Sequence, residues 1–300
     1  MITSLGQMAE KVLSTRKRHR IAVAWAQDVN TISAIDQSVK NGIADAIMIG
    51  QPEKISKICH HNGIDPGKFL IINSENESLA AETAIGMVRS GKADIVMKGL
   101  VSTDIFLKAV MDKDHGLMKP DAFLSYVAVI EIPDYHKLLF VTDTAVIPYP
   151  GLNQKVAMTA YAIEMAGKFG IANPKIALLG ASEKGSKHFQ YSADYAEMKK
   201  MGAEGKFGSC IIDGPLDLYL ACDRKSVEIK GVGTPVAGDA DILVFPSLES
   251  CNPFYKSLML FGHGEMAGLL SGTLKPVVLM SRSESEISKY YCIALACLMA

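Results

Sequence analysis

Ile21-Ala22-Val23-Ala24-Trp25-Ala26 is an unbroken apolar run. It is followed by Ile32, Ile35 and Val39 at helical spacing and then by a second run, Ala46-Ile47-Met48-Ile49. A short continuous apolar stretch suits a strand buried on both faces, and the i, i+3, i+7 spacing suits a helix packed over it. Strand, helix, strand is the building piece of a parallel sheet. The alternation continues outward, with further apolar runs at 69–72, 95–97, 138–141, 176–179, 210–212, 242–245 and 277–280. Ala80, Ala84, Met87 and Val88 repeat the helical spacing between them, as do Val156, Ala160 and Ile163. The pattern predicts an α/β fold with mainly parallel sheets.

The alternation weakens once, between about 113 and 137. Runs 122–132 and 138–141 come close together there, with Pro133-Asp134-Tyr135 between them. So short a connection favours an antiparallel pair over a crossover, and a domain crossing is placed at this point. A second crossing is placed near 268–275, a Gly/Ser/Thr-rich link before the last strand. At about 150 residues per domain, 300 residues imply two. The expected domains are 1–136 together with 272–300, and 137–271.

Lys plus Arg is 31 and Asp plus Glu is 32, so the net charge is −1. That balance argues against nucleic-acid partners and a polybasic membrane anchor; an anion must be held by local cations and backbone N–H groups. No stretch reaches the roughly 18 apolar residues of a membrane span. Gln7, Glu10 and Lys11 fall where a signal peptide would be apolar, so a cytoplasmic location is expected. The six cysteines form no CxxC pair, which removes support for zinc ribbons and thioredoxin chemistry. His115, His188 and His263 lack HExxH-like spacing, and Asp239 and Asp241 read as turn residues, so no metal is expected. Gly180 to Lys187 nearly spells a P-loop, but it ends Gly185-Ser186-Lys187, with the lysine misplaced for a phosphate.

Ligands of open α/β sheets bind beyond the carboxyl ends of the strands. The residues just after each run include Gln27-Asp28, Gly50-Gln51, Lys98-Gly99, Thr142-Asp143 and Ser281-Arg282. In Met97-Lys98-Gly99-Leu100-Val101-Ser102-Thr103 a strand end passes through a glycine to Ser102 or Thr103, either of which can cap the next helix. Free N–H groups there, with Lys98 beside them, make an anion site; the alternative is an ordinary capped loop with an exposed lysine. Arg282 offers a planar fork suited to phosphate, with Ser281 in the same turn and Glu284 and Glu286 in the first turn of the last helix. The alternative is that Ser281 and its neighbours only cap that helix.

Taken in order, the motif 97–103, Thr142-Asp143-Thr144, Asp213-Gly214-Pro215-Leu216, Gly238-Asp239-Ala240-Asp241, Asn252-Pro253-Phe254-Tyr255-Lys256 and Ser281-Arg282 resemble the phosphate acetyl/butyryltransferase family, its butyryltransferase branch most of all. The resemblance covers 21–296. It implies two α/β domains facing across a cleft, similar to isocitrate and isopropylmalate dehydrogenases, and a homodimer that needs no metal or other cofactor. It also implies the reaction acyl-CoA plus phosphate giving acyl phosphate plus CoA, by direct attack in a ternary complex. Arg282 matches the phosphate-binding arginine and Ser281 its partner serine, with Lys256 as a third catalytic candidate. Lys98, Gly99, Ser102, Thr103, Ser125, Thr142, Asp143, Asp213, Gly214 and Asn252 are assigned to substrate binding on the same basis. The acetyl-side relatives' Asp, seven residues after the serine, is Ser288 here. The usual Asn after Thr-Asp is Ile147, Tyr219 replaces an acid, and Gly-Leu-Arg reads Gly116-Leu117-Met118. An acetyl-preferring enzyme, or a non-catalytic sensor of CoA or acyl phosphate, is the competing reading.

Overall fold

The computed structural model describes residues 1–281 and 284–300. They divide into two compact units. The first is Leu5–Leu124 with Met266–Ala300; the second is Met1–Ser4 with Ser125–Glu265.

The first unit opens with α1 (Leu5–Ser14), β1 (His19–Ala24), α2 (Val29–Lys40), β2 (Ala44–Gly50) and α3 (Pro52–His61). It continues through β3 (Leu70–Asn73), α4 (Glu77–Arg89), β4 (Ile95–Lys98) and α5 (Thr103–Val110). Asp28 starts α2 by accepting the Thr31 N–H at 2.8 Å, and Asn76 starts α4 by accepting that of Leu79 at 2.9 Å. Ile21, Val23, Ile95, Val96 and Met97 are fully buried, as strands covered on both faces require. Each such side chain contributes about 1.5–3 kcal/mol of hydrophobic stabilisation.

The second unit holds β5 (Ser125–Glu131), β6 (Leu139–Thr142), α6 (Leu152–Lys168), β7 (Lys175–Leu179), α7 (Tyr191–Ala203) and β8 (Ile211–Leu216). After these come α8 (Leu218–Cys222), α9 (Arg224–Lys230), β9 (Ile242–Val244) and α10 (Leu248–Leu260). Its strands run β5-β6-β9-β7-β8. β5 is antiparallel to β6 and the remaining neighbours are parallel. The chain then returns to the first unit with β10 (Glu265–Ser271), β11 (Val277–Val278) and α11 (Glu286–Met299). There the order is β3-β2-β1-β4-β11-β10, parallel except for β10 against β11.

Three expectations need correction. The crossings fall at 124/125 and 265/266, not at 136/137 and 271/272. The antiparallel β5–β6 ladder, Val127 to Thr142 through Ile130 to Leu139, keeps β5 in the second unit. The Gly-rich segment near 268 is no link: Met266, Ala267, Leu269 and Leu270 are buried in β10, and Leu270 pairs with Val277. On α6 the helix forms as expected but turns a different face inward. Met158, Ala162, Met165 and Ala166 are buried together with Lys155 and Thr159, while Ala160 is exposed. Among the described residues no helix is long and apolar enough to cross a membrane.

Candidate functional site

In the first unit, β1, β4 and β11 are adjacent and parallel, with Ala24 opposite Lys98 and Met97 opposite Val278. Their carboxyl ends therefore set residues 25–28, 98–103 and 279–281 side by side. Ala24 O accepts the Gly99 N–H at 2.9 Å, and Trp25 O accepts those of Leu100 at 2.9 Å and Gln27 at 2.8 Å. Trp25 adopts a left-handed φ of 57° to make this turn. A side chain at Gly99 would put its Cβ 2.7 Å from both carbonyl oxygens, so only glycine fits.

Lys98 is buried, and its Nζ donates to Gly99 O at 3.3 Å. The exposed-lysine alternative is excluded. Ser102 is the N-cap residue of α5, but its hydroxyl makes no capping bond. Its own N–H donates to Glu77 Oε2 at 2.8 Å, so one donor of the expected anion site is already used within the unit. Thr103 is the first helical residue.

Ser281 is exposed beyond β11, and its carbonyl accepts the Glu284 N–H at 3.3 Å. Arg282, the phosphate candidate, lies outside the described residues. Ser285, not Ser281, caps α11, accepting the Ser288 N–H at 3.0 Å. Glu284 precedes the helix, so Glu286 alone supplies a first-turn carboxylate. Ser288 is buried and accepts the Met266 N–H at 3.2 Å, so it ties α11 to β10. Next to it Lys289 is buried and donates to Glu284 O at 3.2 Å. Burial pushes its ammonium pKa down, opposed by the carboxylates of Asp28 and Glu284.

In the second unit Ser125, Thr142, Asp143 and Asn252 gather around the end of β6. Asp143 is buried. Its oxygens accept from Ser125 Oγ at 3.0 Å and from the N–H groups of Tyr126, Ala145, Val146 and Ile147 at 2.8–3.3 Å. Burial pushes its pKa up against the pull of those donors. A carboxylate so occupied shapes the loop after β6. Asn252 donates to Thr144 O at 2.9 Å, fastening α10 to that loop. Lys256 lies one turn further along the same helical face and is exposed.

Asp213 and Gly214 stand apart from this cluster. They are on the edge strand β8, three strands from β6. Asp213 accepts from Thr234 Oγ1 at 2.7 Å and pairs with Lys199 at 2.6 Å. Any Cβ at Gly214 would meet Leu178 at 2.5 Å. Tyr219 is exposed, and Ile147, in the loop that Asp143 holds, is buried. Asp239 and Asp241 do more than turn the chain. Asp239 pairs with His136, Lys137, Lys175 and Arg224, and Asp241 with Lys137. Among the described residues no group of three or more His, Cys, Asp or Glu side chains is placed to hold a metal.

The profile of the phosphate acetyl/butaryl transferase family matches residues 5–84 and 77–297. The chain belongs to that family. A phosphate butyryltransferase of Clostridium acetobutylicum is 40% identical over 300 residues, covering 100% of this chain and 99% of that one. A branched-chain phosphotransacylase from Enterococcus faecalis superposes with a TM-score of 0.82 at 30% identity, covering 93% of this chain and 99% of that one. A 4-hydroxythreonine-4-phosphate dehydrogenase from Klebsiella pneumoniae shares the fold alone. Its TM-score is 0.52 at 12% identity, over 93% of this chain and 98% of that one. Every candidate site residue named above falls within the matched stretches of the phosphate acetyl/butaryl transferase family. Glu77 and Lys289 are additions from the structure. Glu77 reads in sequence as an ordinary first-turn acid. Lys289 carries one signal, its place at the head of the apolar run 290–300.

Proposed function

We propose that the chain transfers an acyl group between CoA and phosphate, with butyryl or another short or branched acyl group preferred. The observation that carries this reading is the 40% identity, from end to end, to a phosphate butyryltransferase. In the forward direction a phosphate oxygen attacks the thioester carbonyl carbon. The C–O bond forms, the C–S bond breaks, and CoA leaves as the thiolate. The chemistry needs a held anion and donors aimed at the developing oxyanion. Arg282 is assigned the phosphate and Ser281 the developing charge. Lys98 adds positive charge at the same strand ends, and Gly99 lets the backbone close up there.

The reaction is proposed to run in a ternary complex, without metal, cofactor or acyl-enzyme, in a cytoplasmic homodimer. The test is thiol release from butyryl-CoA with and without phosphate. Phosphate-dependent release is expected, with intersecting initial-rate lines and no effect of EDTA. Binding of CoA without turnover would make the chain a sensor instead, and parallel lines would replace direct attack with a covalent intermediate. Sedimentation of the purified protein tests the dimer.

A further inference from the structure

Lys289 is 3% exposed and heads a helix whose next residues, Tyr290, Cys292, Ile293, Ala294 and Leu295, are buried with it. The place is unfavourable to a cation twice over. Burial strips the ammonium of water, and the first turn of a helix is the positive end of its dipole. An apolar side chain would meet neither cost, so the ammonium calls for partners that use its donors.

Those partners lie at the carboxyl edge of the sheet. Lys289 Nζ donates to Glu284 O at 3.2 Å, and the N–H of the same Glu284 donates to Ser281 O at 3.3 Å. Glu284 is thus joined through its carbonyl to the buried ammonium and through its N–H to the serine. The helix delivers the lysine to this point. Ser285 caps α11 and accepts the Lys289 N–H at 3.1 Å through its own carbonyl, while Ser288 Oγ takes the Met266 N–H at 3.2 Å and pins the turn to β10. Lys289 is the fourth residue of that turn, and helical side chains lean back toward the N-terminus, here toward Glu284. Burial disfavours the ammonium, and the charges of Asp28 and Glu284 offset part of that. Asp28 is the N-cap of α2, in the segment that follows β1. One cation therefore acts on the chain after β11 and on the chain after β1.

We propose that Lys289 is a positioning residue for acyl transfer: its ammonium holds Glu284 and, through it, Ser281 beside the ends of β1 and β4. This rests on the acyl-transfer reading, which phosphate-dependent thiol release by the unaltered protein tests separately. The experiment compares wild type with Lys289→Met, which fills the space without donors, and Lys289→Arg, which keeps charge and donors. Melting temperature, kcat and KM for each substrate are measured, together with deuterium exchange at the Glu284 amide and at the amides of 290–297.

Lys289→Met is expected to melt close to wild type, because it removes the desolvation cost together with the bond. Its kcat should fall about 10- to 100-fold, the scale of a small misplacement of a reacting group. KM for butyryl-CoA should hold. The Glu284 amide should exchange faster while 290–297 exchange as before, and Lys289→Arg should recover most of the turnover. Wild-type kcat and wild-type exchange in Lys289→Met would overturn the proposal. So would faster exchange throughout α11 with a lowered melting temperature, or an arginine variant that melts like wild type and is no more active than the methionine one. Failure of both variants to fold would make Lys289 a residue of the core and overturn it as well. Absence of thiol release by wild type would remove the reading beneath the proposal, and the Glu284 exchange would still report the contact.

Discussion

Ser281 and Arg282 carry the sharpest expectations for single side chains. Ser285 caps α11, so Ser281 has no capping duty to lose. Ser281→Ala is expected to lower kcat by roughly 10²–10³, the scale of one lost oxyanion donor, with an unchanged melting temperature. A stability loss with near-normal turnover would return the residue to a structural role. Arg282→Lys keeps the charge and loses the fork. A cost of about 1.5–3 kcal/mol is expected, read as a raised KM for phosphate; a variant with wild-type KM and kcat would remove Arg282 from the phosphate site. Both are candidates because they follow the last apolar run. Lys98, which follows an apolar run of its own, was legible in place but not in state. Burial of the lysine accompanies the close approach of Gly99 to the Trp25 turn, which no local pattern describes. Asp143 was legible as a polar strand end, whereas its five donors come from β5 and from the loop it holds.

At the scale of elements, the β1 and β4 ends interlock through backbone hydrogen bonds, and that close approach leaves no space beside Gly99. Gly99→Ala must move backbone rather than a side-chain tip. It is expected to cost about 1–3 kcal/mol, as overpacking does, and to depress turnover with it. A variant of normal stability and activity would show that the two turns separate freely. Most strands were readable because burial on both faces writes a continuous apolar run. β10 escaped because Gly268 interrupts it and Ser271-Gly272-Thr273 follows, which together resemble a loop. The α6 face escaped for the opposite reason. Lys155 is buried because its Nζ donates to Asp194 Oδ2 at 2.8 Å and to Pro150 O, which lets a charged residue occupy the inner stripe.

For the molecule as a whole, near-zero net charge conceals local concentration. Around Asp239, burial raises the carboxyl pKa, but bonds from Lys175 and His136 and the charge of Lys137 outweigh it and hold the group well below 3.8. A carboxylate lowered on folding stabilises fully above its unfolded value and loses that contribution as pH falls through the range beneath it. Asp239→Asn should therefore melt below wild type at neutral pH, by about 1.5–3 kcal/mol for lost charged hydrogen bonds. The gap should narrow below about pH 4, and a gap independent of pH would sever the link to this group. The two-unit plan was legible in outline, but its crossings were displaced because a boundary follows strand pairing rather than composition. The discontinuous first unit also governs the order of assembly. On the ribosome, the nascent chain delivers all of Ser125–Glu265 before the strand that pairs with β4 and the helix that packs on α1 and α2 have been made. A chain stopped at Ser271 should accordingly protect its β6, β7 and β9 amides from deuterium exchange while those of β1 and β4 exchange rapidly. Equal protection in both sets would mean that β1–β4 is stable without its last partner. Until the final residues emerge, one edge of the β4 ladder is open to any other extended segment, and that is the interval in which a chaperone has most to do.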